Sequence, residues 1–168
     1  MLKRKIDKYL EEWKASVDKK PLIVKGARQV GKTASIRYFG EKYYKYIVEI
    51  NFALQPKYKQ IFADGYEVDS IIKNITLLNP TLVFVPHETL LFFDELQEYP
   101  DCATSLKSFK QDGRYDVICS GSLMGLYYQQ IESNSVGYKT DYEMYSLDFE
   151  EFLWAKGYDE HFIYDLYQ

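Results

Sequence analysis

The spacing of apolar positions divides the chain into alternating helical and extended stretches. Over residues 2–17, Ile6, Leu10, Trp13 and Val17 recur every three to four positions, with Lys and Glu between them. That spacing predicts an amphipathic helix with one face on a core. Pro21 ends it, and Leu22-Ile23-Val24-Lys25 reads as a short strand. From Gly31 the spacing turns helical through Thr33, Ile36 and Phe39 and is expected to stop at Gly40. Residues 46–52 (YIVEINF) are β-branched and aromatic and predict a second strand. Between Pro56 and Pro80 the pattern is helical in pieces, with Val68, Ile71, Ile72, Ile75 and Leu78 on one stripe. Leu90 to Phe93 is an uninterrupted apolar run, as expected of a strand buried on both faces of a parallel sheet. A helix over 102–110, a strand over 115–120 (YDVICS), a helix over 122–130, a fifth strand within 142–147 and a helix over 149–155 complete the reading.

Strands and helices alternate, so the expected fold class is α/β: a mostly parallel five-stranded sheet between helices. At 168 residues the chain is expected to be one domain, residues 1–168, with a first helix near 2–17 and a core near 21–157. Apolar residues at 46% and charged residues at 27% are ordinary globular values and exclude wholesale disorder. A net charge of −4 excludes a uniformly basic nucleic-acid surface, though it leaves room for a local patch. The 17 tyrosines are scattered and read as codon bias in preference to a base-stacking platform. No apolar run approaches the ~20 residues of a membrane span, and Asp7, Lys8, Glu11 and Glu12 interrupt any signal-peptide core. Cys102 and Cys119 form no CxxC, so neither a disulfide framework nor a structural zinc site is expected. The expected location is cytoplasmic, with both thiols reduced. His87 reads as a solvated loop residue, and His161 has no neighbouring ligand for a metal. Lys3-Arg4-Lys5 reads as the polar face of the first helix sooner than as a phosphate contact.

The chemistry begins at Gly26-Ala27-Arg28-Gln29-Val30-Gly31-Lys32-Thr33, which matches GxxxxGK[ST] between a predicted strand and a predicted helix. Its glycines let backbone N–H groups turn toward phosphates, and the helix that starts after Gly31 adds its positive end. Residues 26–34, through Ala34, are therefore the expected nucleotide cradle. Lys32 is expected to reach the β- and γ-phosphates and Thr33 to place a hydroxyl on Mg²⁺. Further on, the buried run ends in Asp94-Glu95. Asp94 is positioned to hold Mg²⁺, and Glu95 to act as general base on the attacking water. Cys119-Ser120-Gly121-Ser122 ends the strand expected beside the P-loop strand. Ser120 and Ser122 are candidates to contact the γ-phosphate or the water, and Ser122 reads equally as a helix N-cap.

These motifs separate the P-loop classes. No DxxG follows Asp94, and Tyr138-Lys139-Thr140-Asp141 lacks the first residue of a guanine signature. The four arginines, Arg4, Arg28, Arg37 and Arg114, form no cluster of the kind a small-molecule kinase needs in its lid. Adjacent Asp94 and Glu95 favour water as the phosphoryl acceptor. That selects an ATPase with an added strand, strand order 5-1-4-3-2, in which the strand over 115–120 separates the P-loop strand from the Asp94 strand.

GARQVGKT, LLFFDELQ, VICSGSLMG and YSLDFEEFLWAKG, in that order, resemble the bacterial and archaeal AAA-type ATPases that carry a C-terminal restriction-endonuclease-like domain of unknown function. The resemblance runs from about Lys3 to Gly157, and the segment holding Phe149, Glu150, Glu151 and Phe152 is its most specific part. It implies ATP binding through Gly26–Thr33 (the Walker A loop), Mg²⁺ at Thr33 and Asp94 (Walker B), catalysis by Glu95 and sensing near Ser120–Ser122. The family pattern often has a basic residue directly after Val-Gly; here Val136-Gly137 is followed by Tyr138, and Lys139 comes one later. The chain is expected to be the N-terminal ATPase domain of a longer protein, without the second domain and the helical lid. Two functions are weighed: Mg²⁺-dependent ATP hydrolysis coupled to conformational change, and an ATP-loaded switch that docks a protein or DNA partner with little turnover. No residue announces an adenine contact; the first helix and the turn near Asn51 are the remaining places for one.

Overall fold

The computed structural model describes residues 3–27, 30–122, 128–146 and 149–157. Helix α1 (Lys5–Ala15) precedes β1 (Leu22–Lys25), α2 (Lys32–Tyr43) and β2 (Tyr46–Asn51). A 3₁₀ segment, Pro56–Phe62, leads into α3 (Val68–Leu78) and β3 (Thr89–Asp94). Two short 3₁₀ turns then connect to α4 (Ser105–Asp112), followed by β4 (Asp116–Gly121), α5 (Tyr128–Ser135), β5 (Thr140–Glu143) and α6 (Phe149–Ala155). The five strands form one sheet in the order β2-β3-β4-β1-β5, and every pairing is parallel. This is the expected order read from the other edge, with β4 between β1 and β3.

Strand periodicity builds two cores. Successive side chains of a strand point to opposite faces, so Leu22 and Val24, Leu90 and Phe92, and Ile118 face α1 and α2. Ile23, Leu91 and Phe93, and Val117 and Cys119 face the opposite side, with α3, α4 and Ile131 of α5. Every residue of β3 is buried, which explains its unbroken apolar run. Cys102 and Cys119 are free and sit in the second core; burial pushes both thiols up, so they pack as small protonated side chains. Among the described residues no helix is long and apolar enough to cross a membrane.

Several boundaries differ from the expected ones. Helix α1 stops at Ala15 because Ser16 is already extended, and Val17 is fully exposed instead of joining Ile6, Leu10 and Trp13. The Trp13 indole N–H donates to the Lys20 carbonyl at 2.8 Å and folds the connection back toward β1. Helix α2 runs past Gly40. A Cβ there would lie 2.7 Å from Ile47 Cδ1 and 3.1 Å from Leu90 Cδ2, so this glycine marks a close helix–sheet approach, not a stop. Strand β5 starts two residues early because Thr140 pairs with Leu22 and Glu143 with Lys25. The helix expected over 122–130 appears as Tyr128–Ser135, and residues 123–127 lie outside the described ones.

The α1 boundary gives a direct test. Val17→Lys should change stability by no more than about 0.5 kcal/mol, whereas Leu10→Ala, on a fully buried side chain, should cost about 2–5 kcal/mol. Chemical-denaturation midpoints compare the two.

Candidate functional site

All strands are parallel, so their C-terminal ends share one edge, and the loops that leave them meet there. The loop after β1 opens at Gly26, whose N–H donates to the Gly121 carbonyl of β4 at 3.3 Å. A Cβ on Gly26 would lie 2.3 Å from the Met144 carbonyl oxygen, so glycine is required here by the chain leaving β5, not by a phosphate. Gly31 does need its conformational freedom: at φ 95° it caps α2 in a left-handed turn. The first turn of α2 itself has no acidic residue to offset the positive end of the helix. Lys32 Nζ donates to the carbonyls of Gly26 at 2.9 Å and Ala27 at 2.6 Å and so lies over the loop. Arg28 and Gln29 lie outside the described residues. Val30 is buried.

Asp94 ends β3 and is 4% exposed. A carboxylate this buried must be met by hydrogen bonds. Its Oδ2 accepts from Thr33 Oγ1 at 3.1 Å and from Asn51 Nδ2 at 3.4 Å. Its Oδ1 accepts from the Glu95 N–H at 3.0 Å and from the Ser120 hydroxyl. A hydroxyl and a carboxylate side by side are the hard oxygen donors that Mg²⁺ takes, so Thr33 and Asp94 fit that ion. The fully buried Ser120 therefore stands behind Asp94 and does not line the cleft, contrary to a phosphate contact by this side chain.

The cleft has a volume of about 380 Å³ and is lined by α2 residues Lys32, Thr33 and Ala34 with Gly31, and across from them by Ala53, Glu95, Glu98 and Ser122. Glu95 leaves β3 at φ 60°, a left-handed conformation uncommon outside glycine. Its carboxylate accepts from the Gln97 side-chain amide, whose oxygen accepts from the Ser122 N–H at 3.0 Å. Sequence reasoning missed Gln97 and Glu98; both come within three residues of the Asp94-Glu95 pair, after Leu96, and that position was the available signal.

The sequence also misjudged Arg4. It is only 9% exposed and is not on a solvated face. Its guanidinium donates to Glu151 Oε2 of α6 at 2.8 Å, to the Val30 carbonyl of the loop at 2.8 Å and to the Tyr145 carbonyl at 2.7 Å. Glu151 Oε2 also accepts from the Lys5 N–H at 2.8 Å, and Lys3 lies 4.7 Å from the Trp154 ring centre. The FEEF segment thus braces the loop through the first helix. Lys139 stands at the opposite edge of the sheet, one residue before the Thr140–Leu22 pair, and is engaged with Glu132 and Asp141. That placement leaves it no part in a phosphate site. His87 is an exposed loop residue, as expected.

A glycine-rich loop between β1 and α2, with β4 inserted between β1 and the strand that ends in Asp94, defines a P-loop nucleotide-binding fold of the added-strand type. The chain belongs to the AAA domain family, whose profile matches residues 18–153. No curated protein matches the sequence. Among solved structures, it is similar to C. elegans PCH-2 at 11% identity and TM-score 0.48, over 82% of this chain and 41% of that one. It is also similar to a chain in the structure of Drosophila ORC bound to GC-rich DNA and Cdc6, at 11% identity and TM-score 0.49, over 86% of this chain and 57% of that one. The chain spans about half the length of either.

The two supports of the loop can be tested without nucleotide. Arg4→Ala takes the guanidinium from the buried Glu151 and should cost about 3–5 kcal/mol of stability. Gly26→Ala forces the Met144 backbone to move and should cost about 1–3 kcal/mol. Both appear as lowered thermal midpoints; unchanged midpoints would remove these contacts from the account of the loop.

Proposed function

We propose that the cleft binds ATP with Mg²⁺ and hydrolyses it. The observation that supports this reading is the convergence of Lys32, Thr33, Asp94 and Glu95 at one edge of the sheet, three of them lining the cleft and Asp94 bonded to Thr33 behind it. In this reading residues 26–34 hold the triphosphate with backbone N–H groups, and Lys32 exchanges its loop carbonyls for phosphate oxygens. Thr33 and Asp94 hold Mg²⁺, which when bound neutralises charge on the phosphates. Glu95 takes the proton of a water whose oxygen forms the new bond to the γ-phosphorus. The bond to the bridging oxygen breaks, its electron pair stays with ADP, and phosphate is released. In this reading Ser122, which lines the same cleft, contacts the γ-phosphate or the attacking water. The proposed setting is the cytoplasm, consistent with two free cysteines.

A second reading is an ATP-loaded switch with little turnover that docks a protein or DNA partner. One observation favours it: among the described residues no arginine lines the cleft. Arg4, Arg37 and Arg114 are engaged with Glu151, Glu49 and the Asp69–Asp112 pair. Hydrolysis would then wait on a cation from another chain.

Three variants separate the readings. Lys32→Ala should weaken ATP binding by about 2–5 kcal/mol in a chain that still folds, read by calorimetry. Glu95→Gln should keep ATP–Mg²⁺ affinity and lower turnover by about 10²–10⁴-fold. Asp94→Asn should lose Mg²⁺-dependent affinity as well as rate. Equal turnover with Gln at 95 rejects the base. ATP binding by wild type and Glu95→Gln alike, with hydrolysis by neither, establishes the switch.

A further inference from the structure

We infer that Gln97 is the positioning residue for Glu95: a side-chain strut that fixes the carboxylate against the exit of β4. The inference rests on Glu95 being the base. A glutamate at the mouth of a cleft has three rotatable bonds and gains nothing from its own backbone to hold it in one orientation. Here the turn itself supplies the restraint. Leu96 is fully buried and anchors the Leu96–Glu98 turn, in which Glu98 N–H donates to the Glu95 carbonyl at 2.9 Å and Tyr99 N–H to the Leu96 carbonyl at 3.0 Å. Gln97 is projected from this rigid turn toward both Glu95 and β4.

The two contacts of Gln97 fix its chemistry. The Ser122 N–H can only be accepted, so it meets the amide oxygen, at 3.0 Å. The Glu95 carboxylate can only accept, so it meets the amide nitrogen. A primary amide offers an acceptor oxygen and a donor nitrogen on two separate atoms of one planar side-chain end. Glutamate at 97 would face Glu95 with a second carboxylate, and Asn would fall one methylene short. With one carboxylate oxygen held by Gln97, the other is left to face the cleft that Glu95 lines. The same strut carries the position of Ser122, so the base and a second cleft-lining residue are set by one side chain.

Gly121 makes the space for this strut. Its φ is outside the left-handed region, so it is not there for backbone freedom. A Cβ at 121 would lie 2.6 Å from Gln97 Oε1 and 3.3 Å from the Leu96 N. Gly121→Ala therefore pushes first on the Gln97 amide oxygen, the atom nearest the added Cβ.

The test is a cycle of Gln97→Ala, Gly121→Ala and the double variant, with Glu95→Gln alongside. Gln97→Ala should lower kcat by up to about 10²-fold, the scale of a misplaced catalytic group, with KM and ATP–Mg²⁺ affinity within about twofold of wild type, a range too small to reflect a lost binding contact. Gly121→Ala should lower kcat in the same sense, and the double variant should be no slower than Gln97→Ala, because both act through one side chain. A second readout needs no nucleotide. In amide-resolved NMR spectra, Glu95→Ala should shift the Gln97 side-chain NH₂ signals, and Gln97→Ala should speed hydrogen exchange at the Ser122 amide. Unchanged kcat in Gln97→Ala, losses that multiply in the double variant, or Gln97 signals indifferent to Glu95 would each overturn the strut. Full turnover by Glu95→Gln instead rejects the base reading on which it rests. If wild type turns nothing over, the NMR outcomes alone decide whether the strut exists.

Discussion

A single carboxylate, buried where β3 ends at the C-terminal edge of the sheet, sets the terms for everything around it. Asp94 is satisfied by donors from α2, β2, its own following peptide and β4. Those donors reach it only if β4 lies against β3 in the observed register, where Phe93 stands opposite Cys119 and Asp94 meets Ser120. They also require α2 to start at the same edge, which the parallel order of β1 and β4 secures. The strand order is thus both a packing solution and the condition for burying a charge without stranding it. The same register sets the Thr33 hydroxyl against the Asp94 carboxylate, so two oxygen donors from distant parts of the chain share one place.

Behind the residues that face the cleft stands a set of groups that face each other. Ser120 backs Asp94, Gln97 backs Glu95, and Arg4 holds the carbonyl of Val30. These contacts are part-buried or buried, where a hydrogen bond is electrostatically stronger than in water and an unmet group costs more. The site is therefore a two-layered polar network, and its outer layer inherits its geometry from the inner one.

The strands and the loop between β1 and α2 were legible because local patterns dictate them. β1 was located to the residue, β3 to within one, and α6 to its first and last positions, since apolar runs and turn residues mark them without reference to the rest of the chain. The P-loop spacing and the Asp94-Glu95 pair were legible for the same reason. What was hidden depends on pairs distant in sequence. Val17 fits the periodicity of α1, but the Trp13–Lys20 contact turns the chain first. Gly40 looks like a stop until Ile47 and Leu90 are seen beside it. The start of β5 is decided by its register with Leu22, not by its own composition. Arg4 reads as one of three adjacent basic residues, because nothing local distinguishes a guanidinium that will be buried from two ammonium groups that flank it.

The Arg4–Glu151 pair spans 147 positions. During synthesis the first helix and the loop emerge early, but the carboxylate that steadies them is added near the end of the described chain. A nascent chain halted before residue 151 carries every residue of the loop between β1 and α2 and lacks the partner that holds Arg4 against Val30. The ribosome therefore delivers the loop well before its brace, so emergence of the segment that holds Glu151, not synthesis of the P-loop, marks the moment when the loop can be locked in place.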